Sequence, residues 1–214
     1  MNTPFSFPAL QRSALSLAVA ASALFAGSAW ADTRFHASIN TAAWAGNSGW
    51  LDFQFNPGQN PAPAAQVRIS NFSGNFGSQL FLEGQASGNL ASGFTLGNGS
   101  AFNDLFHAIQ LGGSFGFDLT FSGDVFSTPG QVGTTFSLGL LAGDQQSYLG
   151  NPDGALFQID LMPADAGAPA TTTLSLLGGQ SIATVSAVPE PESYALMLAG
   201  LGLVGLLARR QRAA

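Results

Sequence analysis

Apolar and polar positions alternate through much of the chain. In 49–55, Leu51, Phe53 and Phe55 fall on one side, and Trp50, Asp52 and Gln54 on the other. A period of two points successive side chains to opposite faces of an extended strand, so this run predicts a half-buried β-strand. The segment 114–122 repeats the pattern, with Phe115, Phe117, Leu119 and Phe121 set against Gly116, Asp118 and Thr120. Further strands are predicted at 66–70, with Val67 and Ile69 inward, and at 80–85, 93–97, 134–142, 156–161, 171–177 and 182–186. Turn-forming clusters such as Asn56-Pro57-Gly58 and Gly97-Asn98-Gly99 separate them. About eight to ten short strands with turns between them predict an all-β body, a β-sandwich or jelly roll.

Residues 102–111 read in two ways. Phe102, Leu105, Phe106 and Ile109 recur at helical spacing, whereas an extended reading puts Leu105, His107 and Ile109 on one face. The favoured reading is a turn followed by a strand, with Gly112-Gly113 closing a hairpin to the next strand. A single helical turn is the alternative.

The two ends break the alternation. Residues 14–26 are almost wholly apolar, follow Arg12, and lead to Ala29-Trp30-Ala31. This predicts a secretory signal helix, with Ala29 and Ala31 as the small residues that signal peptidase accommodates and cleavage after Ala31. A buried N-terminal helix is the alternative, although the stretch has no polar face. At the other end, Pro189-Glu190-Pro191 precedes an uncharged run over 194–208 that starts at Tyr194, and Arg209, Arg210 and Arg212 follow. As a transmembrane helix this run rises about 22 Å, short of a roughly 30 Å hydrocarbon core. Tyr194 and the arginines are placed to anchor its ends at the interfaces. Arginine resists transfer through lipid, so the basic end is expected in the cytoplasm and the body outside. The chain thus divides into a signal peptide (1–31), a β-body (32–187) and a C-terminal segment (188–214).

Charge narrows the function. Charged residues make up only 8% of the chain, and all six basic residues are arginine. Between 32 and 187 only Arg34 and Arg68 are basic, against ten acids from Asp32 to Asp165. Such a body repels phosphate backbones and lacks the cations whose counterion release drives nucleic-acid binding, so nucleic acid is excluded as a partner. Cysteine is absent, which removes disulfides, zinc-thiolate sites and cysteine nucleophiles.

No catalytic cluster stands out. His107 follows Asp104 by three residues, but no Gly-x-Ser-x-Gly elbow accompanies it. The acids are spread singly, and no catalytic residue is assigned. Gly200, Gly202 and Gly205 match a dinucleotide-binding spacing, but the chain ends nine residues later, without the acid that motif needs. Asp144, Asn151 and Asp153 form a weak calcium candidate, while Asn151-Pro152-Asp153-Gly154 reads more simply as a type I turn. No other metal or cofactor is expected. Trp44, Trp50 and Tyr148 are candidate aromatic platforms, and Trp50 shares its strand face with Asp52 and Gln54. Core packing is the favoured reading for any one of these rings, and as a ligand surface Trp44, Trp50 and Asp52 are the candidate sugar contacts.

The order Pro-Glu-Pro, short apolar span, terminal arginine cluster resembles the PEP-CTERM sorting domain of Gram-negative bacteria. The resemblance implies recognition and cutting near the motif by an exosortase, after transient tethering in the inner membrane. It also implies a final place on the cell surface or in the extracellular matrix, linked to exopolysaccharide and biofilm. Residues 48–58, 71–74, 102–104 and 117–123 resemble one group of small PEP-CTERM proteins of unassigned function. The combined expectation is an exported, noncatalytic surface or matrix protein. A carbohydrate-binding module is the alternative, and a secreted hydrolase the lesser one.

Overall fold

The structure, a computed structural model, describes residues 33–165, 167–178, 181–188, 200–202, 204 and 209. The expected signal helix with Ala29 and Ala31 lies outside the described residues, as do Pro189, Glu190, Pro191, Tyr194, Arg210 and Arg212. Positions 200–202, 204 and 209 are helical, with Leu201 and Val204 exposed. Among the described residues no helix is long and apolar enough to cross a membrane. Chain contacts separate 1–31 from 32–214, and the described residues all belong to the second unit.

These residues form twelve strands: β1 (Thr33–Asn40), β2 (Ser48–Pro57), β3 (Gln66–Ser73), β4 (Phe76–Glu83), β5 (Ala86–Asn89), β6 (Gly93–Gly97), β7 (Asp104–Gln110), β8 (Ser114–Ser122), β9 (Thr134–Ala142), β10 (Ala155–Met162), β11 (Thr171–Leu176) and β12 (Ala183–Ala187). They build two six-stranded sheets, in the orders β12-β1-β8-β3-β6-β5 and β11-β10-β9-β2-β7-β4. Neighbouring strands within each sheet run antiparallel. The result is an all-β sandwich.

The alternation explains the layering. Phe35, Ala37 and Ile39 of β1, Phe117, Leu119 and Phe121 of β8, and Val67 and Ile69 of β3 are buried on the inner face of the first sheet. Leu51, Phe53 and Phe55 of β2, with Phe136, Leu138 and Leu140 of β9, answer them from the second. Aromatic rings lock the sheets together. Phe53 meets Phe117 edge-on at 5.1 Å, Phe76 meets Phe115 at 5.3 Å, and Phe121 meets Phe136 at 5.9 Å. Each fully buried phenylalanine stabilises the fold by roughly 1.5–3 kcal/mol through burial, and edge-to-face contacts add to that.

Residues 102–111 settle as a strand. In β7, Leu105, His107 and Ile109 all face inward and are buried. The expected hairpin at Gly112-Gly113 is absent, because β7 pairs with β2 and β4 while β8 pairs with β1 and β3. The two glycines carry the chain from one sheet to the other. Sheet changes of this kind dominate the topology, and adjacent strands pair directly only at β5–β6, β9–β10 and β10–β11. Two further strands, β1 and β5, were not anticipated. The predicted strand at 80–85 begins earlier, at Phe76, and ends at Glu83. Gly84, at φ +63, stops it, and a Cβ there would sit 2.1 Å from the Phe102 carbonyl oxygen.

Two buried asparagines tie the irregular segments to the sheets. Asn103 donates to the carbonyls of Phe55 (3.0 Å) and Ser100 (2.9 Å) and accepts from the Gln85 N–H (2.9 Å). Asn98 accepts from the Ala65 N–H (2.9 Å) and donates to the Pro63 carbonyl (2.9 Å) and the Thr134 hydroxyl (2.8 Å).

Phe117 bridges the two sheets, fully buried and in ring contact with Phe53 and Phe72. Replacing it with alanine is expected to cost about 3–5 kcal/mol. Urea unfolding checks this, and a loss below about 1 kcal/mol contradicts a packed aromatic core.

Candidate functional site

With the inner faces committed to the core, polar chemistry is left to the outer faces. On the second sheet, cross-strand register assembles a patch across β4, β7, β2, β9 and β10. Phe81 lies opposite Phe106, and Phe106 opposite Asp52. In the next row Glu83 lies opposite Asp104, Asp104 opposite Gln54, and Gln54 opposite Ser137. Residues of one row stand about 4.8 Å apart from strand to strand, so side chains distant in sequence become neighbours.

The aromatic half of the patch is a stack. Trp50 lies parallel to Phe106, with ring centroids 4.6 Å apart, and packs against Phe81 at 5.8 Å. Trp50 is therefore only 5% exposed, and Phe81, at 57%, is the ring that meets solvent. A second exposed ring, Tyr148 (41%), arrives from the β9–β10 connection. Tyr148 forms a bridge with Leu141, and a Cβ at Gly139 would stand 3.3 Å from its ring. Gly139 faces Asp52 in the register, so the missing side chain lets the tyrosine lie close over the sheet. Phe81 and Tyr148 thus flank the patch, about three strand spacings or roughly 14 Å apart.

The polar half holds an acid pair. Asp104 is hydrogen-bonded to Asp52, and its pKa is pushed up to about 8, first by burial, then by that bond and by the charges of Asp52 and Glu83. Asp104 therefore keeps its proton at neutral pH. Asp52 Oδ1 and Asp104 Oδ1 are both buried and accept from no donor among the described residues, which makes the pair costly to hold fully ionised. Asp52 Oδ2 accepts from Gln54 Nε2 (2.8 Å), and Gln54 Oε1 accepts from Asn56 Nδ2 (3.3 Å). On β10, Asp160 accepts from the Thr135 hydroxyl (2.6 Å) and from Gln158 Nε2 (3.2 Å).

The other residues singled out in the sequence lie elsewhere. Trp44 sits half-buried in a short 3₁₀ turn and lines a cleft of about 280 Å³ with Asn47, Ser48, Leu111 and Leu149. Asp144 closes its own loop: Oδ1 accepts the N–H groups of Gln146 and Ser147, and Oδ2 accepts the Ser147 hydroxyl (2.6 Å). Those bonds push its pKa down to about 2. Asn151 donates to the Ala155 carbonyl and accepts from the Asp153 N–H, while the Gly154 N–H returns to the Asn151 carbonyl in a tight turn. Among the described residues no group of three or more acidic or imidazole side chains is arranged to hold a metal.

His107 is fully buried, edge-on to Phe76 and Phe94, with Nδ1 on the Ala108 carbonyl. Burial pulls its pKa down, with that backbone bond opposing, so the ring stays neutral. Asp104 points to the opposite face of β7, so the two never form the Asp–His pair that their spacing suggested. Sequence reasoning missed Asp104, Phe81 and Phe106 as members of the patch. Their outward phase was readable, but which strands stand beside β2 was not.

The profile of a family described as the PEP-CTERM protein-sorting motif matches residues 187–212. The match takes in Pro189-Glu190-Pro191, Tyr194 and all three terminal arginines, and it marks an exported, exosortase-targeted chain that passes through a membrane-anchored intermediate. No curated protein and no solved structure matches the chain.

The acid pair sets a pH dependence. Asp104 binds its proton more tightly folded than unfolded, so its contribution to stability is fully present below about pH 4 and is lost as pH rises toward 8. Urea midpoints at pH 5 and pH 8 are expected to fall with pH for the native chain. For Asp104→Asn, which keeps a donor without a titrating proton, that part of the fall should vanish. An unchanged pH slope in the variant contradicts the raised Asp104 pKa.

Proposed function

We propose that this chain is an exosortase-processed component of the bacterial surface or extracellular matrix whose sandwich binds polysaccharide through the outer face of the second sheet. The observation that carries the glycan reading is the pair of exposed rings, Phe81 and Tyr148, flanking a floor of carboxyl and amide groups. Sugars offer apolar C–H faces and a rim of hydroxyls. Aromatic rings match the first, and Asp52, Gln54, Gln158 and Asp160 match the second. Such a ligand is neutral and tolerates the acidic body, as a polyanion facing this patch does not.

A binding role fits this patch better than hydrolysis. Two-carboxyl glycosidases hold the pair about 5 Å apart or more, to admit the sugar or a water between them. Asp52 Oδ1 and Asp104 Oδ1 are closed off from solvent, which favours a rigid floor over an acid–nucleophile pair. The sorting motif accounts for delivery: a basic end retained at the inner membrane, a cut near Pro189, and a body left outside.

Two measurements test this. Fractionation of the native host with mass spectrometry of the mature termini is expected to find a start at Asp32 and an end near Pro189. A stable product that retains Arg209 and Arg210 contradicts processing. Affinity gel electrophoresis of the full chain against a panel of neutral polysaccharides is expected to find retardation by at least one. Phe81→Ala or Tyr148→Ala should each weaken it by roughly 2- to 12-fold, the range of one aromatic contact. Retardation by none of the panel, or equal retardation of native and variant chains, refutes the glycan face.

A further inference from the structure

The opposite outer face, on the first sheet, carries a different chemistry. Arg34 and Arg68, the only cations between residues 32 and 187, come from β1 and β3, on either side of the central strand β8. Both register with the same residue, Thr120. Their Cα atoms therefore stand two strand spacings apart, about 9.6 Å, with the threonine hydroxyl between them. All three side chains point outward, because Phe35, Val67, Ile69, Leu119 and Phe121 take the inward phase. Both arginines and Thr120 line one cleft of about 360 Å³, which Ser70, Asn71 and Asp118 also border.

One row along, the cleft's carboxylate is already engaged. Asp118 accepts from Asn71 Nδ2 at 2.6 Å and is bonded to His36 Nδ1 at 2.6 Å. Asn71 reaches it because β3 is irregular between Ser70 and Ser73, with Asn71 at φ 55. Burial raises the Asp118 pKa, but the bonds from Asn71 and His36 outweigh it and hold the carboxyl below its ordinary range. Arg68 donates to the Ser92 carbonyl, which steadies its guanidinium and uses one of five N–H donors. The fold thus gathers the body's two arginines around one cleft, whose carboxylate is bonded to Asn71 and His36.

We infer that the Arg34–Thr120–Arg68 cleft is a second binding site, for the carboxylate groups of an acidic sugar chain. Guanidinium groups match a planar carboxylate with two parallel hydrogen bonds, and the flanking hydroxyls and amide suit the sugar ring that bears it. Elsewhere the acidic body repels such a chain, so the cleft confers selectivity of position as well as of charge. The ligand class rests on the glycan reading above, but the residues, the face and the chemistry are separate.

The test uses the full chain in detergent, titrated by calorimetry with an oligogalacturonate and with its fully methyl-esterified, uncharged counterpart. The expected result is binding of the acid form that weakens with added salt, with the ester at least tenfold weaker. Arg68→Gln, at an exposed position, should reduce affinity for the acid form about tenfold or more. Asp118→Asn, which removes the opposing charge and keeps a polar partner for Asn71, should tighten it. Glu190 and Glu192 follow Val188, which borders the cleft, by two and four residues, so a Glu190→Gln/Glu192→Gln chain is titrated in parallel. Binding of the acid form by either chain supports the site, and binding by neither overturns it. Equal affinity for acid and ester, an unaffected Arg68→Gln variant, or inorganic phosphate binding as tightly as the oligomer also overturns it. Phe81→Ala separates the two readings: it should weaken neutral polysaccharide and leave the acid form unchanged.

Discussion

Phenylalanine packed between two sheets is the constraint on which the rest of this molecule depends. The chain has no cysteine and few charges. What holds its sheets together is a continuous apolar layer in which Phe53, Phe55, Phe94, Phe115, Phe117, Phe121, Phe136 and Phe157 are fully buried. Edge-on ring contacts make that layer directional as well as hydrophobic, because each ring presents its positive rim to the negative face of another. Few polar groups enter it. His107 does so as a neutral ring among phenylalanines, and Asn98 and Asn103 do so with their amides bonded to chain segments that leave the sheets.

A core of this kind shapes what the outside can do. Every residue that faces inward fixes its two neighbours outward, so each sheet presents a solvent face of nearly continuous short polar side chains with few charges. On such a ground, a small number of exceptions carry the chemistry. The second sheet concentrates aromatic rings, an amide ladder and a carboxyl pair in which Asp104 holds its proton to about pH 8. The first concentrates the body's two arginines around one threonine. The two faces differ in the charge they carry, and they belong to the two different sheets of the sandwich.

The C-terminal strand links this architecture to delivery. β12 pairs with β1 up to Ala187, and the Val188 N–H still bonds to the Arg34 carbonyl. The matched sorting motif begins at residue 187, so the end of the sheet and the start of the processing signal coincide. Only Val188 stands between the last residue of β12 and Pro189.

The sequence by itself determined the fold class, most of the strands and the sorting signal. Period-two alternation survives any arrangement of partners, which is why 114–122 and 134–142 were read to the residue. The terminal motif is contiguous and needs no fold to be recognised. It did not disclose β5, whose Ala-Ser-Gly-Asn run becomes a strand only by pairing with β6, or the change of sheet at Gly112-Gly113 that replaced the expected hairpin. Trp50 and Asp52 were correctly placed on the polar side of β2, yet their character was decided by neighbours. Phe106 and Phe81 cover the indole, and the carboxyl of Asp104 comes up beside that of Asp52. Those partners lie 31 (Phe81 to Trp50) to 56 (Phe106 to Trp50) residues away and are brought alongside by sheet order. Alternation along one strand specifies which way a side chain points. Which other side chains it meets depends on strand adjacency, a long-range property set by the packing of the whole sandwich.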